Sequence, residues 1–233
     1  MDNIIFELQN AEPLETYISK ELCQFHANEL LKITQPESLN ASCEAQYTYL
    51  NSQHMIKLKT NIFGEEEIRW KHAVYHELMH YYNCCHYPII RDAHSETNVD
   101  YSIYIPRVYI IELMAWLKSY TKYQIDYNEY LIPMQENLRT GCFRPQDIYK
   151  LIYNFSIICA ISIYQRQNHS STLIQQLNFP NERLKTIFID LFAASWRCCK
   201  NGPTNETLQE LYQGYVFPAS QAIGRYYNLL RYN

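Results

Sequence analysis

The feature that most constrains the fold of this 233-residue chain is a change of hydrophobic period along it. In Met55-Ile56-Lys57-Leu58-Lys59 apolar and basic residues alternate, the two-residue period of a half-buried strand. AQYTYL precedes it, and the turn NSQH between them makes the pair a β-hairpin; NIIFEL at 3–8 offers another strand. Residues 14–33 read instead as an amphipathic helix, with Leu14, Ile18, Leu22 and Phe25 at helical spacing. Gly64 and three glutamates start a second helix near residue 65, acids sitting well on its positive end. From roughly residue 105 the helical period holds throughout, over 107–121, 145–165, 181–199 and 205–230, with KNGP at 200–203 as a stop. This pattern predicts an α+β fold: a small twisted antiparallel sheet carrying one helix, followed by a mainly α-helical C-terminal half. No repeat or Pro/Gly/Ser-rich linker intervenes, so we expect one continuous body whose parts are residues 1–106 and 107–233.

Composition removes several function classes. Only 5 glycines are present and no P-loop or GxGxxG, so nucleotide-phosphate chemistry has no support. A net charge of −4 argues against nucleic-acid binding, which shows a basic surplus. The longest apolar stretch, Leu151 to Tyr164, is broken by Asn154 and Ser156; it is too short to span a bilayer and reads as a buried helix. MDNIIFELQNAEPLE lacks the basic and apolar regions of a secretory signal, so the expectation is a cytoplasmic protein, or an effector exported without a signal. The 8 cysteines include the vicinal pairs Cys84-Cys85 and Cys198-Cys199 but no CxxC, and read as free thiols.

The chemistry concentrates in one segment. Five of the 8 histidines (His72, His76, His80, His86, His94) lie close together, and two form His76-Glu77-Leu78-Met79-His80, an HExxH. Residues four apart share a helical face, so both imidazoles can reach one zinc ion. Glu77 lies about 100° around the helix, beside the metal, where it can polarise a water and shuttle its proton. Trp70, Val74, Leu78, Tyr81 and Tyr82 occupy the opposite arc and would bury it. A chance HExxH arises in about two per cent of chains of this composition, so context carries the assignment. That context is a strand before the helix, an amphipathic pattern around it and further ligands after it.

A catalytic zinc takes three protein ligands and keeps one position open. His86 completes HELMHYYNCCH, the HExxHxxGxxH spacing of the metzincins, with Asn83 in the glycine's place. His94 follows His80 near the spacing of SprT-like proteases. Glu96 opens Glu96-Thr97-Asn98-Val99-Asp100, with Ser95 as its N-cap; on a helix Asp100 shares its face and would accept the second N–H of a zinc-bound histidine. Glu112, in IIELMAW, has the longer spacing of some gluzincins, but its neighbours read as core helix. Among the other groups nearby, Cys84 or Cys85 as thiolate ligands would close the open position and make the zinc structural. Arg91 and Arg107 could bind a substrate carboxylate, with surface salt bridges as the default reading; His72, one turn before His76, could support a ligand or rim the site, with an exposed helix residue as the default. Tyr75, Tyr81, Tyr82, Tyr101 and Tyr104 surround the motif; one can stabilise an oxyanion, while most are packing.

In order, IKLKTNIF, HAVYHELMH and ETNVDYSIYIP resemble the small gluzincins, most closely the ImmA/IrrE-like zinc peptidases: a helix, a short twisted sheet, an HELxH helix, then a helix carrying E-x-x-A-N/D. The resemblance covers roughly residues 14–106, and Val99 stands where that family has alanine. It implies a zinc metallopeptidase cutting one or few protein partners, with His76, His80 and Glu96 as ligands and Glu77 as general base. Two alternatives stand beside it. One is a non-catalytic, zinc-stabilised helical module that binds a partner; the other is a metzincin-like or SprT-like protease with a histidine as third ligand.

Overall fold

The computed structural model describes residues 3–8, 12–25, 27, 29–35, 44–60, 62, 66–95, 100–165 and 172–229. By their contacts they fall into two compact units, Met1–Glu96 and Thr97–Asn233.

The first unit holds a four-stranded sheet in the order β1-β2-β4-β3, from β1 (Ile4–Glu7), β2 (Leu31–Thr34), β3 (Ala45–Leu50) and β4 (Gln53–Leu58). β3 and β4 form the expected antiparallel hairpin, Tyr47 opposite Ile56 and Tyr49 opposite His54. Its connection is the two residues Asn51 and Ser52, both at positive φ (51° and 60°), the backbone that a tight primed turn requires. The sheet is mixed, however, not antiparallel throughout: β2 runs parallel to both β1 and β4. The reason lies in the predicted helix over 14–33. Only its first part, α1 (Glu12–Leu22), is helical; Leu31-Lys32-Ile33-Thr34 alternates buried and half-buried residues and adds to the sheet as β2. Leu14 and Ile18 of α1 are fully buried, and Tyr17 sets its ring edge on Trp70, 5.5 Å between centroids.

Two helices complete this unit. α2 (Glu67–His86) starts two residues later than the acidic run predicts, a margin ordinary for helix ends. Trp70, Val74, Leu78 and Tyr81 are buried, as the apolar arc predicts. α3 (Pro88–Ser95) follows after the single residue Tyr87, with Ile89 and Ile90 buried. Ser95 is thus the last residue of a helix, not the cap of the next one.

The second unit is helical among its described residues: α4 (Tyr101–Lys122), α5 (Asn128–Thr140), α6 (Pro145–Tyr164), α7 (Thr172–Gln175), α8 (Glu182–Cys199), α9 (Asn205–Leu211), a π-helical turn at Tyr212–Val216 and α10 (Phe217–Tyr226). The expected division at residue 106 falls inside α4. Asp100 is the N-cap of that helix, its carboxylate accepting from the Ser102 N–H at 2.9 Å. α4 and α6 pair along their lengths around Tyr109, Phe155 and Phe188, and the Tyr109 hydroxyl meets Ser195 Oγ at 2.7 Å. Phe155 and its neighbours Ile157, Ile158 and Ile161 are wholly buried, as the apolar run predicts for α6. No helix among the described residues is long and apolar enough to cross a membrane.

Candidate metal centre

α2 presents His76 and His80 one turn apart on one face, and both are buried, at 8% and 4% exposure. Their Nε2 atoms face each other at 3.0 Å. Two nitrogens bound tetrahedrally to zinc at 2.0–2.1 Å would stand about 3.3 Å apart, so the pair converges at nearly the spacing a shared ion needs. Burial, and next the neighbouring His76 and His94, hold His80 far below the usual histidine range. A neutral imidazole keeps the lone pair a metal takes, so burial prepares the ligand as well as the packing. The donor chemistry, the spacing and the protonation state all fit a zinc ion.

Glu77 is fixed by the sheet. The Tyr47 backbone N–H donates to its Oε2 at 2.6 Å. The pairing of the hairpin explains why that N–H is available: Lys59 N–H donates to the Glu44 carbonyl, which makes 44, 46, 48 and 50 the bonded positions toward β4. Ala45, Tyr47 and Tyr49 therefore turn their backbone groups to the outer edge of β3, the edge beside α2. The Tyr47 ring stacks on His80, 6.0 Å between centroids and 13° between planes. One residue of the edge strand thus touches the general-base candidate through its backbone and a ligand candidate through its ring.

The other predicted residues separate. Glu96 lies outside the described residues. His94, in the last turn of α3, sets its ring against those of Tyr47 (4.9 Å) and His80 (5.3 Å), yet it joins no group of three converging donors among the described residues. Burial, with the charge of His54 second, lowers its pKa to about 3. His86 is exposed: α2 runs on through Asn83, where a metzincin-type site needs the chain to turn, and His86 Nδ1 meets the Tyr82 carbonyl at 2.8 Å. Asn83 itself is fully buried two turns after His76 on the same face, and its amide atoms have no hydrogen-bond partner among the described residues. Asp100 caps α4, and its expected pairing with Glu96 lies outside the described residues. His72 is half-buried, not exposed, and burial brings it down to about 4. Tyr101 and Tyr104 lie in a tyrosine ladder with Tyr149 and Tyr153 of α6. Glu112 sits mid-α4 between the buried Ile111 and Leu113.

Three residues that sequence reasoning left aside, Tyr47, His54 and Glu29, prove to be linked to this centre, and Arg91 joins them through the kind of salt bridge its sequence reading gives. The Tyr47 hydroxyl meets His54 Nδ1 at 2.6 Å, His54 Nε2 meets Glu29 Oε2 at 2.9 Å, and Arg91 bonds Glu29 Oε1. Burial pushes His54 below its usual value against the pull of Glu29. Burial opposes ionisation of Glu29 too, but the bonds from His54 and Arg91 hold its carboxyl below the usual range. A His on a strand with an alternating partner was a findable signal; the role of Tyr47, made by a backbone N–H, was not. Compared with known proteins, the chain matches no family model, no curated protein and no solved structure.

Proposed function

We propose that this protein is a zinc-dependent metallopeptidase, an endopeptidase of gluzincin type similar to the ImmA/IrrE-like peptidases, acting on a protein or peptide substrate. The observation that carries the reading is the buried His76–His80 pair, Nε2 to Nε2 at 3.0 Å, with Glu77 held beside it. Zinc bound there supplies Lewis acidity, polarising the scissile carbonyl and making water nucleophilic at neutral pH. His76 and His80 hold the ion as neutral imidazoles. Glu77 takes a proton from the attacking water and delivers it to the leaving amine, while the Tyr47 N–H on Oε2 fixes the orientation of its carboxylate. An extended peptide adds to an edge of the small sheet, the usual way such a substrate is held.

The third ligand in this reading is the carboxylate of Glu96, as the resemblance implies. The seven described cysteines are free thiols, which supports a reducing, cytoplasmic compartment.

The test has two arms. Elemental analysis of purified protein should show zinc, reduced by about one ion per chain in His76→Ala and in Glu96→Gln. Cleavage of a quenched-fluorescent peptide library should fall by roughly 10²–10⁴-fold in Glu77→Gln with zinc content unchanged. Glutamine keeps an oxygen for the Tyr47 N–H, so this substitution removes proton transfer and spares the local structure. A second reading, a zinc-stabilised binding module, draws on the same bond, since an acid tied to a strand also has a structural use. It prevails if Glu77→Gln leaves any observed cleavage unaltered.

A further inference from the structure

A second group of donors lies in the first unit, apart from the HELMH pair. Glu29, His54 and Cys85 each bring one ligand atom, all within 4.8 Å of one another. They come from three places in the chain: the residues just before β2, the strand β4 and the last turn of α2. We propose that these three side chains form a second metal site for a divalent ion of zinc's ligand preference, one that fastens β4 and the approach to β2 onto the end of α2.

The donor types argue for it. A thiolate, an imidazole and a carboxylate together suit zinc, which accepts all three in tetrahedral sites. His54 Nε2 and Glu29 Oε2 stand 2.9 Å apart, close to the separation of neighbouring ligands on one zinc ion, and His54 is 1% exposed. The surrounding bonds are those that metal ligands need. His54 reaches the Tyr47 hydroxyl through Nδ1, which sets the ring so that Nε2 faces the site. Arg91 occupies the other carboxylate oxygen of Glu29 and leaves Oε2 to the ion. Arg91 Nε also donates to the Cys84 carbonyl at 3.0 Å, and the Tyr81 hydroxyl donates to the Glu29 carbonyl at 2.6 Å, so the backbone on both sides is anchored.

Binding balances simply. The ion takes the lone pair of His54 Nε2, whose proton passes to Nδ1 and is donated to the Tyr47 oxygen. The Cys85 thiol gives up its proton and coordinates as thiolate, so one proton leaves per ion bound. Glu29 enters as the carboxylate it already is.

Cobalt(II) is the probe, because thiolate ligation gives it a near-ultraviolet charge-transfer band that His76 and His80 cannot produce. Titrating Co²⁺ into the full-length, metal-free protein should produce this band at about one equivalent. The band should persist in His76→Ala, which separates this site from the proposed catalytic one, and vanish in Cys85→Ser and His54→Ala with far-ultraviolet dichroism unchanged. Cys85→Ala serves if the serine variant does not fold. No band in folded wild-type protein, or a band that survives loss of Cys85, overturns the proposal.

Discussion

At the scale of single residues, burial does most of the chemistry. His72, His80 and His94 are all held below the ordinary histidine range chiefly by burial, so each favours its neutral form in the folded protein. His94 is the cleanest probe, since its pKa is lowered to about 3 against about 6.5 in an unfolded chain. Between those values the unfolded chain binds the extra proton, so stability rises with pH: the contribution is fully present above about 6.5 and is lost as pH falls toward 3. For the metal-free protein, urea unfolding should show a slope of up to about 1.4 kcal/mol per pH unit from this group, removed in His94→Gln. An unchanged slope would show that His94 does not titrate with unfolding. The same scale shows what the sequence could tell. His76, Glu77 and His80 stood out because their side-chain chemistry and spacing are written in the residue types. Tyr47 did not, because its bond to Glu77 comes from a main-chain N–H that any residue except proline would offer.

At the scale of elements, the strongly periodic segments were legible and the short ones were not. The hairpin, α2, α6 and α8 follow from their periods and stops. β2 was hidden inside an apparently continuous helical run, because a four-residue strand satisfies either period and only its pairing with β1 and β4 decides. Likewise Ser95 and Asp100 both look like caps, and the ending of α3 at Ser95 assigns that part to Asp100 alone. The hairpin turn offers a direct check. Ser52 holds φ at 60°, a left-handed conformation that costs a residue with a Cβ on the order of 1 kcal/mol. Ser52→Gly makes the favoured Asn-Gly pair and should raise unfolding stability by up to about 1 kcal/mol in urea titrations. A loss of stability would mean that the serine side chain contributes more than its backbone strain removes.

For the whole molecule, sequence reading captured the class and left the purpose of the helical part open. Its core is conventional, with Tyr109, Phe155 and Phe188 at the centre, and much of the chain's tyrosine surplus goes into ring-on-ring packing. Nothing in that packing pattern names a ligand, since apolar periodicity reports burial and not recognition. The sheet carries a consequence for how copies of this protein behave toward one another. An edge strand is a template for pairing with another chain, and β3 is an edge strand of its sheet. The carboxylate of Glu77 sits on its central N–H, placing a negative charge where a neighbouring strand would have to dock. The residue proposed to move the proton would, on this arrangement, also discourage self-association through that edge. Glu77→Ala should therefore scatter more light on standing at high concentration than wild type, while Glu77→Gln, which keeps the acceptor, should stay nearer to it; equal scattering by all three would show that the edge is protected by other means.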